Sequence, residues 1–338
     1  MAGVDAFLKL KETLPVLDVR APKEFIQGHI PGAISFPLFN DVERAEVGTC
    51  YKQKGKEKAF ELGLRIVGPK MEGFVQQARA HAHGGKILVH CWRGGQRSGS
   101  MAWLLKQAGL EVETLAGGYK AYRNHVLGTF KECPVRLIVL GGQTGTGKTK
   151  ILKSLQKKGE QIIDLEAIAC HKGSAFGFIG EPEQPTVEQF ENELFEVISQ
   201  LDDTKNVWVE NESRSIGRVF IPDDFWAKMK SATLVNVEIP PEARIANLLE
   251  DYVQTNKELL ELAFRKIEKK LGGLALKQAL EYLEQNDYAA AARIALNYYD
   301  KTYQHNLDVN TAPDIRMYTF DSFEPDTIAG CLSDQFPG

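Results

Sequence analysis

Two stretches of this chain hold residue types and spacings that can do chemistry. The first is "ILVHCWRGGQRSGS", residues 87 to 100. Cys91 ends a short apolar run and is followed by Trp92, Arg93, Gly94, Gly95, Gln96, Arg97 and Ser98. A free thiol ionises near ~8.5, so a reactive cysteine needs positive potential beside it. Gly94 and Gly95 let the backbone curl so that its N–H groups converge on an anion. Arg93 and Arg97 bring full charges, and a helix opening near Ser98 adds its N-terminal dipole. The loop therefore suits a thiolate, or a tetrahedral anion beside one. A buried, inert cysteine at a strand end is the plainer alternative, and the glycines and two arginines directly after it argue against that.

The second stretch is "GGQTGTGKT", ending at Thr149. Gly142 to Thr149 fits G-x-x-x-x-G-K-[ST] at every fixed position. An apolar strand, Leu137–Leu140, precedes it and a helix over Thr149–Leu155 follows, which is the context of a phosphate-binding loop. Gly145, Thr146 and Gly147 let the backbone wrap a polyphosphate, Lys148 reaches the terminal phosphates, and Thr149 can ligate Mg²⁺. Acids follow on two strand ends. Asp164 and Glu166 stand at the end of a strand over Ile162–Leu165, where Asp164 is either a substrate or metal contact or a helix cap. Glu210 and Glu212 come after a strand over Val207–Val209, where such an enzyme places an acid to orient Mg²⁺ or water. Arg214 and Arg218 are phosphate or lid candidates, or solvated charge. No metal ligand set beyond Thr149 is assigned.

Strands alternating with helices must position both loops, which predicts parallel α/β sheets. The break falls near Thr129–Pro134, giving domains 1–130 and 131–338 with a mostly helical segment at about 242–305. In that segment Arg265, Lys266, Lys269 and Lys270 cluster, as do Tyr298, Tyr299, Lys301, Tyr303 and His305. They suit an RNA surface or, more plainly, amphipathic helices with packed tyrosines. The chain has 338 residues and a net charge of −4, so any nucleic-acid surface is a local patch. Five scattered cysteines without a C-x-x-C pair imply a reducing compartment and no disulfide framework. There is no signal-peptide pattern and no apolar run near ~20 residues, so a cytoplasmic location is expected.

The string "DVRAPKEFIQGHIPGA", the strand-ending Cys91 and the closing "GGY" resemble the rhodanese domain over roughly residues 5 to 128. That resemblance implies a cysteine that carries sulfur. The C-x5-R loop is one residue longer than in ordinary sulfurtransferases of the family and is similar to the loop of rhodanese-fold phosphatases. It therefore implies room for a phosphate-sized group. "CWRGGQRS", "IDLEAIACHKGSAFG" and "ENESRSIGRV", together with the phosphate loop, resemble the bacterial tRNA 2-selenouridine synthase family over nearly the whole chain.

The family resemblance implies an α/β fold with an N-terminal rhodanese-like domain and a C-terminal P-loop domain carrying a helical extension. It implies a transferase acting on the wobble 2-thiouridine of tRNAs for lysine, glutamate and glutamine. The substrates would be geranyl diphosphate, giving an S-geranyl intermediate, and selenophosphate, which replaces the geranylthio group with selenium. No tightly bound cofactor is expected. Gly142–Thr149 would take the diphosphate and the Cys91 loop the selenophosphate. Phe176, Phe178 and Ile179 are candidates for holding the geranyl tail. Two other chemistries fit the residues. One is ATP-dependent tRNA thiolation through a Cys91 persulfide, and the other is a cysteine phosphatase fused to a nucleotide-binding domain.

Overall fold

The computed structural model describes residues 1–252, 256–309 and 311–336. The chain separates into two compact units, Met1–Thr129 and Phe130–Gly338.

In the first unit the elements are α1 (Val4–Lys11), β1 (Val16–Asp18), α2 (Pro22–Gln27), β2 (Ile34–Ser35), α3 (Asp41–Val67), α4 (Met71–His81), β3 (Lys86–His90), α5 (Gln96–Gln107), β4 (Glu111–Thr114) and α6 (Gly118–Lys131). Four parallel strands lie in the order β2-β1-β3-β4. β1, β2 and β4 have two to four residues each and are too short to carry a period. β3 is apolar and buried because helices cover both faces of a parallel sheet. Leu17, Val19, Ile87, Val89, Met101 and Leu105 pack into one core. α3 begins with a reciprocal cap, in which Asn40 accepts from the Glu43 N–H and Glu43 from the Asn40 N–H. It bends at Gly55, whose φ is 87°.

In the second unit β5 (Arg136–Gly141), α7 (Lys148–Lys157), β6 (Gln161–Ile163), α8 (Leu165–Ala169), α9 (Val187–Ser199) and β7 (Asn206–Glu210) come first. A short hairpin follows, β8 (Ser215–Ile216) with β9 (Val219–Phe220), and then α10 (Asp223–Lys230) and β10 (Thr233–Glu238). The helical run is α11 (Pro241–Tyr252), α12 (Lys257–Lys266), α13 (Glu268–Leu271), α14 (Gly273–Glu284) and α15 (Tyr288–Asp308). β11 (Ile315–Thr319) and α16 (Pro325–Gln335) close the unit. Five parallel strands lie in the order β11-β10-β5-β7-β6. Thr186 caps α9 by accepting from the Gln189 N–H, as its spacing predicts.

Two expectations are corrected at element ends. The helix after Cys91 begins at Gln96 rather than Ser98, because the two glycines complete the turn sooner. β6 ends at Ile163, so Asp164 lies beyond the strand. The predicted helical segment spans residues 241 to 308 in separate helices, of which 253–255 lie outside the described residues. No helix among the described residues is long and apolar enough to cross a membrane.

Candidate active site

Both chemical loops leave the C-terminal ends of interior strands, β3 between β1 and β4, and β5 between β10 and β7. Open parallel sheets bind ligands there, because helix N-termini and loop N–H groups converge at that edge.

Cys91 is buried directly after β3. Its Sγ lies 3.2 Å from Oγ of Ser98, in the first turn of α5. Burial pushes the Cys91 thiol up. The Ser98 hydroxyl and N–H, the Arg93 N–H and the Arg97 charge outweigh it, so the thiol lies below its ordinary range. Arg97 is fixed by Glu24 of α2: its Nη1 donates to Oε2 at 2.6 Å and its Nη2 to Oε1 at 3.2 Å. Trp92 lies tilted near Tyr119, and Gln96 opens α5.

The "GGY" turn braces the loop from the other side. Tyr119 N–H donates to the Cys91 carbonyl at 2.8 Å, and Lys120 N–H to that of Trp92 at 2.9 Å. Gly118 has φ 60°, and a Cβ there would run into the Cys91 carbonyl and the Gly94 nitrogen. Only glycine fits both demands.

Beneath the loop is a buried polar group that the spacing of residues alone did not assign. Arg20 donates from Nε and Nη2 to the Asp18 carboxylate and from Nη2 to the Gly28 carbonyl at 2.7 Å. Its guanidinium lies 3.7 Å over the Tyr119 ring. His90, fully buried, has its pKa pushed down to about 4, because burial outweighs the neighbouring Asp18 charge, which Arg20 already neutralises. The only sequence signal for this group is the "DVR" string itself.

In the second unit the phosphate loop runs from Gly142 into α7, with Gly147 as the left-handed residue before the helix, φ 77°. A Cβ at Gly147 would strike the Phe323 ring. α11 holds the loop from outside. Arg244 donates from Nε to the Thr144 carbonyl at 2.9 Å and from Nη1 to Gln143 at 2.7 Å, while its two Nη atoms grip Asp300 of α15. Asn247 donates to the Gly145 carbonyl at 3.0 Å. Thr146, also in the loop, is buried.

Lys148 faces a cluster of acids. Burial favours its neutral form, but Glu212, Glu166, Tyr303 and Glu210 hold it charged, with its pKa raised. Crowding acts the other way on the acids. Burial and then Glu166 push Glu212 up to about 8, and burial with Asp164 and Glu166 pushes Glu210 well above its ordinary value. Thr149 Oγ1 donates to Glu166 Oε2 at 3.1 Å, and the Glu166 N–H donates to Glu210 Oε1 at 2.7 Å. Asp164 caps α8 by accepting from the Ala167 N–H at 2.8 Å, yet it also lines the cavity. Glu212 lines it as well.

Two of the expected residues are absent from the cavity wall. Glu210 is buried and accepts from the Glu166 N–H, and Arg214 is exposed and pairs with Asp223; Arg218 pairs with Glu183. The hairpin of β8 and β9 follows Arg214 immediately. Glu166, expected at this strand end, joins the wall, and so do Lys150, Lys153 and Lys172, which the sequence did not mark. Their spacing in sequence carries no sign of that convergence.

The cavity over the phosphate loop has a volume of about 670 Å³. One end is Gly145, Lys148 and Thr149. The other is apolar, lined by Leu260, Phe264, Leu283, Ala292 and Leu296 from α12, α14 and α15. Phe176 reaches this wall, whereas Phe178 and Ile179 do not, the former lying under Lys266 Nζ at 3.6 Å. Tyr298 and Tyr299 pack against the same helical cluster, and Tyr303 bonds to Asn236. Tyr299 and Tyr303 also line the cavity, whereas Tyr298 packs without reaching it. Among the described residues no group of three or more Asp, Glu, His or Cys side chains is arranged to hold a metal ion.

The family described as tRNA 2-selenouridine synthase AAA domain matches residues 135–318, and the rhodanese-like domain family matches residues 4–125. The tRNA 2-selenouridine synthase of Bdellovibrio bacteriovorus is 37% identical, over 88% of this chain and 90% of its own. That of a Sulfurovum species is 35% identical over the same shares, 88% and 90%. That of Nitrosomonas europaea is 38% identical over 71% of this chain and 64% of its own. With a rhodanese-like unit, a phosphate-loop unit and relatives matched along most of its length, the chain belongs to the tRNA 2-selenouridine synthase family.

Proposed function

We propose that this chain converts wobble 2-thiouridine of tRNA to 2-selenouridine in two steps, with geranyl diphosphate as the first co-substrate and selenophosphate as the second. The supporting observation is the single cavity that joins an anion cradle to an aliphatic chamber. A diphosphate ester with an isoprenoid tail has this division of character. A nucleotide placed there would set the polar edge of its base against Leu260, Leu283 and Leu296.

In the first step the thiocarbonyl sulfur attacks C1 of the geranyl group, and the C–O bond to diphosphate breaks. The loop N–H groups and Lys148 face the charge that builds on the leaving oxygen, so they act most strongly in the transition state. Thr149 and Glu166 are hard oxygen donors on the cradle, and Mg²⁺ held by them would add charge neutralisation, with its other ligands drawn from the diphosphate and water. Alkylation turns a poor leaving group at C2 into a neutral thiol.

In the second step selenium of selenophosphate adds to C2 and geranylthiolate leaves, taking up a proton. Water then cleaves the P–Se bond and releases phosphate. The Cys91 loop, sized for a tetrahedral anion and carrying Arg97, receives the selenophosphate, and Cys91 assists delivery of selenium. The acceptors would be tRNAs for lysine, glutamate and glutamine, as the family resemblance implies.

Mass spectrometry of the wobble nucleoside, after incubation of thiolated tRNA with each donor alone and with both, tests this reading. Geranyl diphosphate alone should give the S-geranyl nucleoside, and both donors together the selenouridine. Consumption of ATP coupled to sulfur insertion into unmodified tRNA would replace the reading with a thiolase.

A further inference from the structure

The first unit contains a second cavity, of about 390 Å³, between α3 and the start of α5. That is within the range of small-ligand sites, ~300–1,000 Å³. Its floor is apolar, formed by Leu38, Phe39, Val47 and Val67. Both halves of the bent α3 supply its wall at helical spacing, Arg44, Val47, Tyr51 before Gly55 and Lys56, Phe60, Leu64 after it. Gln96, Arg97 and Ser100 of α5 complete it, so the cavity shares Gln96 and Arg97 with the Cys91 loop.

The charge on this wall has one sign. Arg44, Lys52, Lys56 and Arg97 line it, and no carboxylate does. Glu24, outside the wall, engages Arg97 and lies 3.7 Å from Arg44. Lys52 and Lys56 make no ion pair among the described residues, and Lys54 and Lys58 alternate with them in "KQKGKEK". Tyr51 and Phe60 stand at the rim, 57% and 49% exposed. An alkyl chain would cover the floor and leave the cations without partners. A free phosphate would do the reverse. An unpaired nucleotide offers a flat base for the floor and aromatic rim, and a phosphate for the cations.

We infer that the cavity between α3 and α5 seats an unpaired RNA nucleotide, its base against Tyr51 and Phe60 and its backbone on Lys52, Lys56 and Arg44, beside the nucleotide presented to the Cys91 loop. This rests on the proposed reading that the substrate is tRNA. The unpaired loop of a tRNA is the part that can splay out a base in this way.

Fluorescence anisotropy of the full-length protein with 3′-labelled thiolated tRNA, over a series of salt concentrations, tests it. The K52E/K56E variant should bind about tenfold or more weakly at low salt, and its log K against log salt should flatten by about one to two. The Tyr51→Ala and Phe60→Ala variants should each lose about fivefold or more, with the slope unchanged, because they remove stacking and not charge. The neutral K52Q/K56Q variant should fall between wild type and K52E/K56E, which covers the case in which charge reversal unfolds α3. An unchanged Cys91 alkylation rate verifies the fold of each variant. Equal affinity and slope across all folded variants would overturn the assignment while leaving the proposed reaction standing. Wild-type binding that depends on these residues, without product from either donor, would instead refute the reaction and retain the cavity.

Discussion

The Cys91 loop works by local arithmetic among neighbours. Burial raises the thiol pKa, and Ser98 contributes the largest opposing effect. Ser98→Ala should therefore shift the pH profile of Cys91 alkylation to higher pH and slow alkylation at pH 7 by about tenfold, as loss of a hydrogen bond to a charged group implies. An unshifted profile would mean that Arg97 and the N–H groups suffice alone. His90 gives a stability prediction. Its pKa drops from the ordinary 6.5 to about 4 in the fold. Between those values the unfolded chain binds the extra proton, so stability is present above pH 6.5 and is lost as pH falls toward 4. The full effect is about 3 kcal/mol. Denaturant titrations across that window should show the loss, and His90→Leu should flatten it; an equally steep His90→Leu curve would place the titration elsewhere.

Elements were legible where a short pattern decides them. β3, the residues of the Cys91 loop and the strand–loop–helix around Lys148 follow from apolar runs, glycines and charge at fixed offsets. β11 was not legible, because its residues "IRMYT" are mostly exposed at a sheet edge and alternate poorly. Asp164 could be placed near the phosphate site but not assigned between cap and ligand, since one carboxylate serves either role. The Thr149–Glu166 bond and the Arg244 clamp join residues 17 and 100 positions apart, beyond any periodic signal. The helical segment could be foreseen as helices, but not as the wall of a chamber. That wall is testable at Ala292, half-buried on α15 and facing the cavity. Ala292→Phe fills part of the apolar end, away from the phosphate loop. The KM for geranyl diphosphate should rise about tenfold or more, while inhibition by inorganic diphosphate stays as in wild type. Parallel loss of both would show a disturbed loop and not a filled chamber.

For the whole molecule the question is why, on the proposed reading, one chain would carry two anion sites. A single exchange of sulfur for selenium needs one; an alkylation followed by a displacement needs one for the diphosphate that leaves and one for the selenophosphate that gives. The two sites sit on separate sheets with separate cores, β3 in one and β5 in the other. Each should therefore be removable without the other. Lys148→Ala should abolish geranylation of thiolated tRNA yet still convert tRNA supplied with the S-geranyl nucleoside. Cys91→Ser should geranylate normally and stop there. Mixed in one tube with thiolated tRNA and both donors, the two variants should together restore 2-selenouridine, because each retains the site that the other lacks and the alkylated tRNA can pass through solution. Selenation by Cys91→Ser alone would remove Cys91 from selenium delivery. If the mixture stays inactive while each variant performs its own half-reaction, the S-geranyl tRNA must be handed on within one molecule, and the two sites would then be coupled by channelling rather than merely joined in one chain.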